Sequence, residues 1–144
     1  MSFNRIPKNE IAQVRDKSIA KWQIQWDHTT KGLTTKQFSP IIKGRPTAKI
    51  KLTPNFTAIV TAHGKTKAYL HHFKIIESPE CPCDGGNQTV DHLLYDCTKL
   101  QTERVKLISN ISNQDKWLVN KRDLVNKHRK HFNPFANSID FEKL

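Results

Sequence analysis

Cys81-Pro-Cys83, followed by Thr89-Val-Asp-His92-Leu-Leu-Tyr-Asp-Cys97, gathers three cysteines and a histidine into one short stretch that holds every cysteine of the chain. Written as C-x-C-x8-H-x4-C, this is a metal-ligand pattern. The close pair can sit on a tight turn, and the His and last Cys are offered from about one and a third turns of a helix. A closed structural zinc site takes four soft or borderline ligands, which Cys81, Cys83, His92 and Cys97 supply. The single-residue gap between Cys81 and Cys83 is tighter than the commonest knuckle spacing, and Gly85 and Gly86 free the backbone just after it. The competing reading is four buried, unmetallated side chains of a small core.

An odd cysteine count argues against a secreted disulfide scaffold, and the opening Met1-Ser-Phe-Asn-Arg-Ile-Pro-Lys8 lacks the apolar core of a signal peptide. The expected setting is therefore reducing and intracellular, nuclear or cytoplasmic. No stretch approaches the apolar length that spans a bilayer, so no membrane partner is expected.

At 144 residues with 36% hydrophobic content, the chain is polar for a self-sufficient globule, and its net charge of +11 favours polyanionic partners. That charge is uneven. Residues 1–80 hold 14 Lys and Arg against 5 acids, residues 81–97 none against 3, and residues 98–144 10 against 5. From His28 through Ile76 there is no Asp or Glu, while Lys31, Lys36, Lys43, Arg45, Lys49, Lys51, Lys65, Lys67 and Lys74 all fall there. Such a tract can neutralise phosphates by counterion release, and it leaves no carboxylate for acid/base or two-metal chemistry. The bland counterpart is a solvated basic surface.

Periodicity reads as mainly α, several short amphipathic helices around a small zinc-binding lobe. A helix is expected from Asn9 to about Asp27, with Trp22 and Trp26 four apart on one face as a packing stripe or a base-stacking platform. Gly32 ends it, and a connector through Pro40, Gly44 and Pro46 carries one short turn around Thr35 to Phe38. Thr53-Pro54 starts a helix through Phe56, Ile59 and Val60 that closes at Gly64, and Thr66 caps another through Ile75. The corner His63-Gly64-Lys65-Thr66 reads equally as a phosphate seat or a plain turn. A helix from Val90 to about Ser109 should turn Leu93, Leu94, Leu100, Val105 and Leu107 inward. The last, Asn120 to Phe135, is basic and should stop at Pro134. The expected division is residues 1–46, 47–110 and 111–144. No glycine-rich phosphate loop, nucleophile elbow or internal repeat is present.

In order, Trp22-x3-Trp26, Thr30-Lys-Gly32, Phe38-Ser-Pro40, Asn55-Phe56-Thr57, Thr61-x-His63-Gly64-Lys65, Tyr69-Leu70-His71-x-Phe73-Lys74, Cys81-Pro-Cys83, Gln88-Thr89-x-Asp91-His92-Leu93-Leu94 and Cys97 resemble the C-terminal segment of non-LTR (LINE-like) retrotransposon polyproteins. In those polyproteins the segment follows the reverse transcriptase and, where present, the ribonuclease H domain. The resemblance runs from about Ile6 to about Leu144 and is most specific from Thr61 to Cys97. It implies a CCHC knuckle-like motif in an accessory tail that binds RNA or DNA beside the reverse transcriptase of the same element. Relatives commonly read Thr-Gly-His-Gly where this chain has Ala62, and Lys-Gly-Arg where it has Leu33.

The expected function is thus zinc-stabilised binding of template RNA or target DNA. Lys65, Lys67, Lys74 and His63 at the helix corner, with Arg122, Arg129 and Lys130 in the terminal helix, would contact phosphates. No enzyme is expected: the intact parent would be an RNA-directed DNA polymerase, but its catalytic carboxylates are absent here, and four protein ligands close a metal site against substrate. The alternative is a structural extension that packs on the reverse transcriptase and ribonuclease H domains through its Trp and Phe faces.

Overall fold

The computed structural model describes residues 5–43 and 51–144, so Gly44, Arg45, Pro46, Lys49 and the expected 46/47 boundary lie outside the described residues. Among the described residues the chain is helical with no strand: α1 Lys8–His28, α2 Leu33–Phe38, α3 Pro54–Thr61, α4 Lys67–His72, α5 Gln101–Ile111, α6 Lys121–Asn126 and α7 Arg129–Ser138. A π-helical turn at His92–Asp96 and a 3-10 turn at Thr98–Leu100 precede α5.

The capping residues perform as their chemistry predicts. Thr53 accepts from the Phe56 N–H and Thr66 from the Tyr69 N–H, each satisfying a donor that the first turn leaves unpaired. Both helices end earlier than expected. α3 stops at Thr61 because Ala62 turns left-handed at φ 57°, and α4 stops at His72 because Lys74 does the same at φ 57°.

The core is built on Phe132 of α7, which stacks on Phe38 of α2 at 6.1 Å and meets Phe56 of α3 edge-on at 6.0 Å. Ile59, Leu94, Leu107, Ile111, Leu124 and Phe135 close around these rings. Truncating a ring so enclosed costs about 3–5 kcal/mol. Polar contacts tie the ends of α3 and α7 together: Asn55 Nδ2 donates to the Ile139 carbonyl at 2.8 Å, and Thr53 Oγ1 bonds Asn137 Oδ1 at 2.5 Å.

Three expectations are corrected. The Trp22/Trp26 face is not a buried stripe, since α1 buries none of its residues and Trp22 is 53% exposed. α1 is instead held near its C-terminus, where Trp26 Nε1 donates to the Ser39 carbonyl at 3.2 Å and Gln23 bonds the Pro40 carbonyl at 3.0 Å and the Ile42 N–H at 2.8 Å. The terminal helix is two helices, and Pro134 lies inside α7, which runs on to Ser138. Pro134 is exposed, so water can take the carbonyl left without its helical donor. The expected helix from Val90 to Ser109 breaks at Cys97 (φ −56°, ψ 117°), and Val105 faces out at 50% exposure.

Candidate metal centre

The break at Cys97 assembles the site. In a regular α-helix two residues five apart point about 140° away from each other, so one helix could not turn both His92 and Cys97 toward one ion. Here Thr89 Oγ1 accepts from the His92 N–H at 3.1 Å, starting the turn. The turn then widens to a π register, with the Cys97 N–H donating to the His92 carbonyl at 2.7 Å. Extended backbone at Cys97 then swings its sulfur back toward the cysteine pair.

That pair lies on a tight reversal: the Cys81 N–H donates to the Gly86 carbonyl at 2.8 Å, the Asp84 N–H to the Cys81 carbonyl at 3.0 Å, and Glu80 bridges Asn87 antiparallel. Asp84 (φ 59°) and Gly86 (φ 115°) take the left-handed backbone that the reversal needs. This is how one intervening residue suffices between Cys81 and Cys83.

The four expected ligand atoms converge, all within 4.8 Å of one another. Cys81 Sγ and Cys97 Sγ stand 3.7 Å apart, and Cys83 Sγ and His92 Nε2 3.1 Å. A tetrahedral ion with metal–sulfur bonds of about 2.3 Å and metal–nitrogen bonds of about 2.0–2.1 Å has edges of about 3.8 and 3.5 Å, so the donor set fits a four-coordinate cation with little movement. All three cysteines are free thiols, and 3.7 Å is far beyond a disulfide's length. A further sign of fit is Gly85, where a Cβ would lie 3.2 Å from His92 Cε1 and 3.3 Å from Cys83 Sγ, the space the two ligand tips occupy.

The thiols differ electrically. Desolvation pushes Cys83 up, but the backbone hydrogen bond at Gly85 and the Cys81 and His92 side chains outweigh it, lowering its pKa from 9.0 to about 6. Burial, then the adjacent Cys81 sulfur, raises Cys97 to about 11. A cation among them would reverse that second shift, because a bound metal keeps coordinating thiols deprotonated.

Two residues outside the expected set hold the centre in place. Arg104 is only 4% exposed, and its guanidinium donates to the carbonyls of Leu94 (2.8 Å), Cys97 (2.9 Å) and Leu93 (3.1 Å), clamping the segment that carries His92 and Cys97. Gln88 is fully buried; its Oε1 accepts from the Lys67 N–H at 3.0 Å and its Nε2 lies 3.9 Å from Cys81 Sγ, linking α4 to the site. The legible signal was Arg104's place in the stripe Leu100, Arg104, Leu107, Ile111, where an apolar residue would be usual.

The residues expected to meet phosphate are spread over two regions. His63 is exposed, edge-on to Tyr69 at 5.1 Å, and Lys74 is exposed beside α4. Lys65 is half-buried, with Nζ bonded to Asn55 Oδ1 at 2.7 Å and 5.5 Å from the Phe141 ring centre. Lys67 is half-buried. Arg122 and Arg129 border a groove of about 500 Å³ beside Phe38 and Phe56, and Lys130 is exposed. Two other basic side chains of the terminal segment are engaged internally. Lys121 pairs with Asp91, and His128, 1% exposed, bonds Asp115 Oδ2 at 2.7 Å.

No helix among the described residues is long and apolar enough to cross a membrane. No family model and no solved structure matches the chain. Curated relatives do. Over 101 residues it is 32% identical to the retrovirus-related Pol polyprotein from type-1 retrotransposable element R1 of Popillia japonica, an alignment covering 69% of this chain and 40% of that protein. Over 77 residues it is 31% identical to the Pol polyprotein of the same element type from Bradysia coprophila, covering 53% of this chain and 8% of that protein. On these alignments the chain, which spans less than half the length of either relative, corresponds to a segment of a non-LTR retrotransposon Pol polyprotein.

Proposed function

We propose that this chain is an accessory nucleic-acid-binding segment of the polyprotein. It is stapled by zinc at Cys81, Cys83, His92 and Cys97, is not itself catalytic, and holds template RNA or target DNA for the reverse transcriptase of the same element. The observation that carries the reading is the charge map: a stretch from His28 to Ile76 without one acid, next to a cluster able to take a cation. Zinc suits three thiolates and an imidazole, and with four protein ligands its part is structural. Cys81 and Cys97 belong to the same buried cluster as Leu94 and Leu100, so metal binding there contributes directly to folding free energy.

In this mechanism Lys65, Lys67, Lys74 and His63 on one side, and Arg122, Arg129 and Lys130 on the other, neutralise phosphates and release counterions. Affinity for an RNA or DNA oligonucleotide should therefore fall steeply as salt rises, and a flat salt dependence would refute the reading. Metal analysis should return one zinc per chain, lost in Cys97→Ser.

A second reading has its own observation. α1 exposes Ile11, Val14, Trp22 and Ile24, apolar area suited to packing on the reverse transcriptase or ribonuclease H domain. Replacing Lys65 and Lys67 by Ala separates the two: loss of oligonucleotide binding in a folded chain supports nucleic-acid contact, and unchanged binding supports packing alone.

A further inference from the structure

Phe73 caps the C-terminal end of α4 and is 56% exposed. It does not stand alone. Tyr69 tilts against it at 4.7 Å, His72 meets it edge-on at 5.0 Å, and His63 meets Tyr69 edge-on at 5.1 Å. Rings in mutual contact restrain one another, so Phe73 presents a fixed apolar face to solvent.

The adjoining backbone adds an independent observation. α4 closes in a Schellman motif, with the Ile75 N–H donating to the Leu70 carbonyl and the Lys74 N–H to the His71 carbonyl, both at 2.9 Å. This places Lys74 at φ 57°, where glycine is favoured and every L side chain is disfavoured. Among the described residues neither Lys67 nor Lys74 has a carboxylate partner.

We propose that Phe73, backed by Tyr69 and followed by the exposed Lys74, is a stacking platform for an unpaired nucleobase, so that this end of α4 selects single-stranded over duplex nucleic acid. The inference rests on the nucleic-acid reading above and deepens it. A base inside a duplex has both faces covered by its neighbours, whereas an unpaired base can lay one face on Phe73 while Lys74 meets a flanking phosphate. The charge match favours a polyanion over a protein partner, because no acid lies anywhere from His28 to Ile76 to repel it.

The test uses the full zinc-loaded chain and fluorescently labelled unpaired oligonucleotides, one RNA and one DNA of the same sequence, each also annealed to its complement. Phe73→Ala should weaken single-strand binding between about 5- and 150-fold, the effect of losing one base–aromatic stack, and change duplex binding less than about twofold. Phe73→Trp should restore it. Lys74→Gly should raise the melting temperature yet weaken oligonucleotide binding, which a merely structural residue would not do. Equal single-strand affinity in Phe73→Ala and wild type, with salt-dependent binding retained, overturns the platform and leaves the electrostatic reading standing. Absence of salt-dependent binding in the wild type overturns both, and Phe73→Ala disrupting only association with the reverse transcriptase assigns the face to a protein instead.

Discussion

Replacing Arg104 with Met keeps most of its volume and removes the guanidinium. Three carbonyls, those of Leu93, Leu94 and Cys97, then lose a charge-assisted donor, and Gln101 Oε1 loses its 3.1 Å partner. Each hydrogen bond to a charged group contributes about 1.5–3 kcal/mol net, but one side chain makes them all and its desolvation is relieved on substitution. The expected loss is therefore about 3–5 kcal/mol, well below the simple sum and still a large share of the about 5–15 kcal/mol that holds a domain together. Equilibrium urea denaturation of the metal-loaded chain would read it as a lower midpoint at unchanged slope. Since the clamped carbonyls flank His92 and Cys97, chelator competition should show about 10- to 100-fold weaker zinc binding. Arg104→Lys, with one point charge for a planar fork, should recover only part of either. A stability loss below about 0.5 kcal/mol in Arg104→Met would refute the clamp.

The remaining predictions concern neighbouring features. Ala62→Gly removes an L side chain from φ 57° and should raise stability by about 1 kcal/mol in a thermal melt; a lower melting temperature would contradict the strain. Gly85→Ala puts a Cβ 3.2 Å from His92 Cε1 and 3.3 Å from Cys83 Sγ, so zinc affinity should drop about tenfold by chelator competition, and unchanged affinity would contradict the crowding. Burial, and secondarily Asp91, raises the Tyr95 pKa from 10.0 to about 12. A raised folded pKa stabilises below the unfolded value, so this contribution is intact under pH 10 and is lost as pH climbs toward 12. Phenolate absorbance should place one tyrosine there in the folded chain, and Tyr95→Phe should abolish that step.

The local signals were reliable where chemistry acts within a few residues. Thr53 and Thr66 are caps because a hydroxyl two or three residues before free N–H groups has one obvious use. The clustering of Cys81, Cys83, His92 and Cys97 was legible for the same reason, since four soft donors in so short a segment can meet with little chain entropy lost. The register errors came from long-range packing. Val105 faces outward because the core stripe runs through Leu100, Arg104, Leu107 and Ile111, and a buried Arg looks like a surface residue until its carbonyl partners are known. His128 is buried in the same way, lying in the stripe of Leu124 and Phe132 with Asp115 as its partner across a loop.

By itself the sequence determined the helical class, the caps, the basic tract and the identity of Cys81, Cys83, His92 and Cys97 as candidate ligands, because each depends on residue type and short-range spacing. The tertiary structure alone decided that the helix after Val90 breaks at Cys97, that Arg104 clamps the break, and that α1 buries none of its residues. Those outcomes depend on which carbonyls and rings are brought together from distant positions, and no periodicity within one segment encodes them.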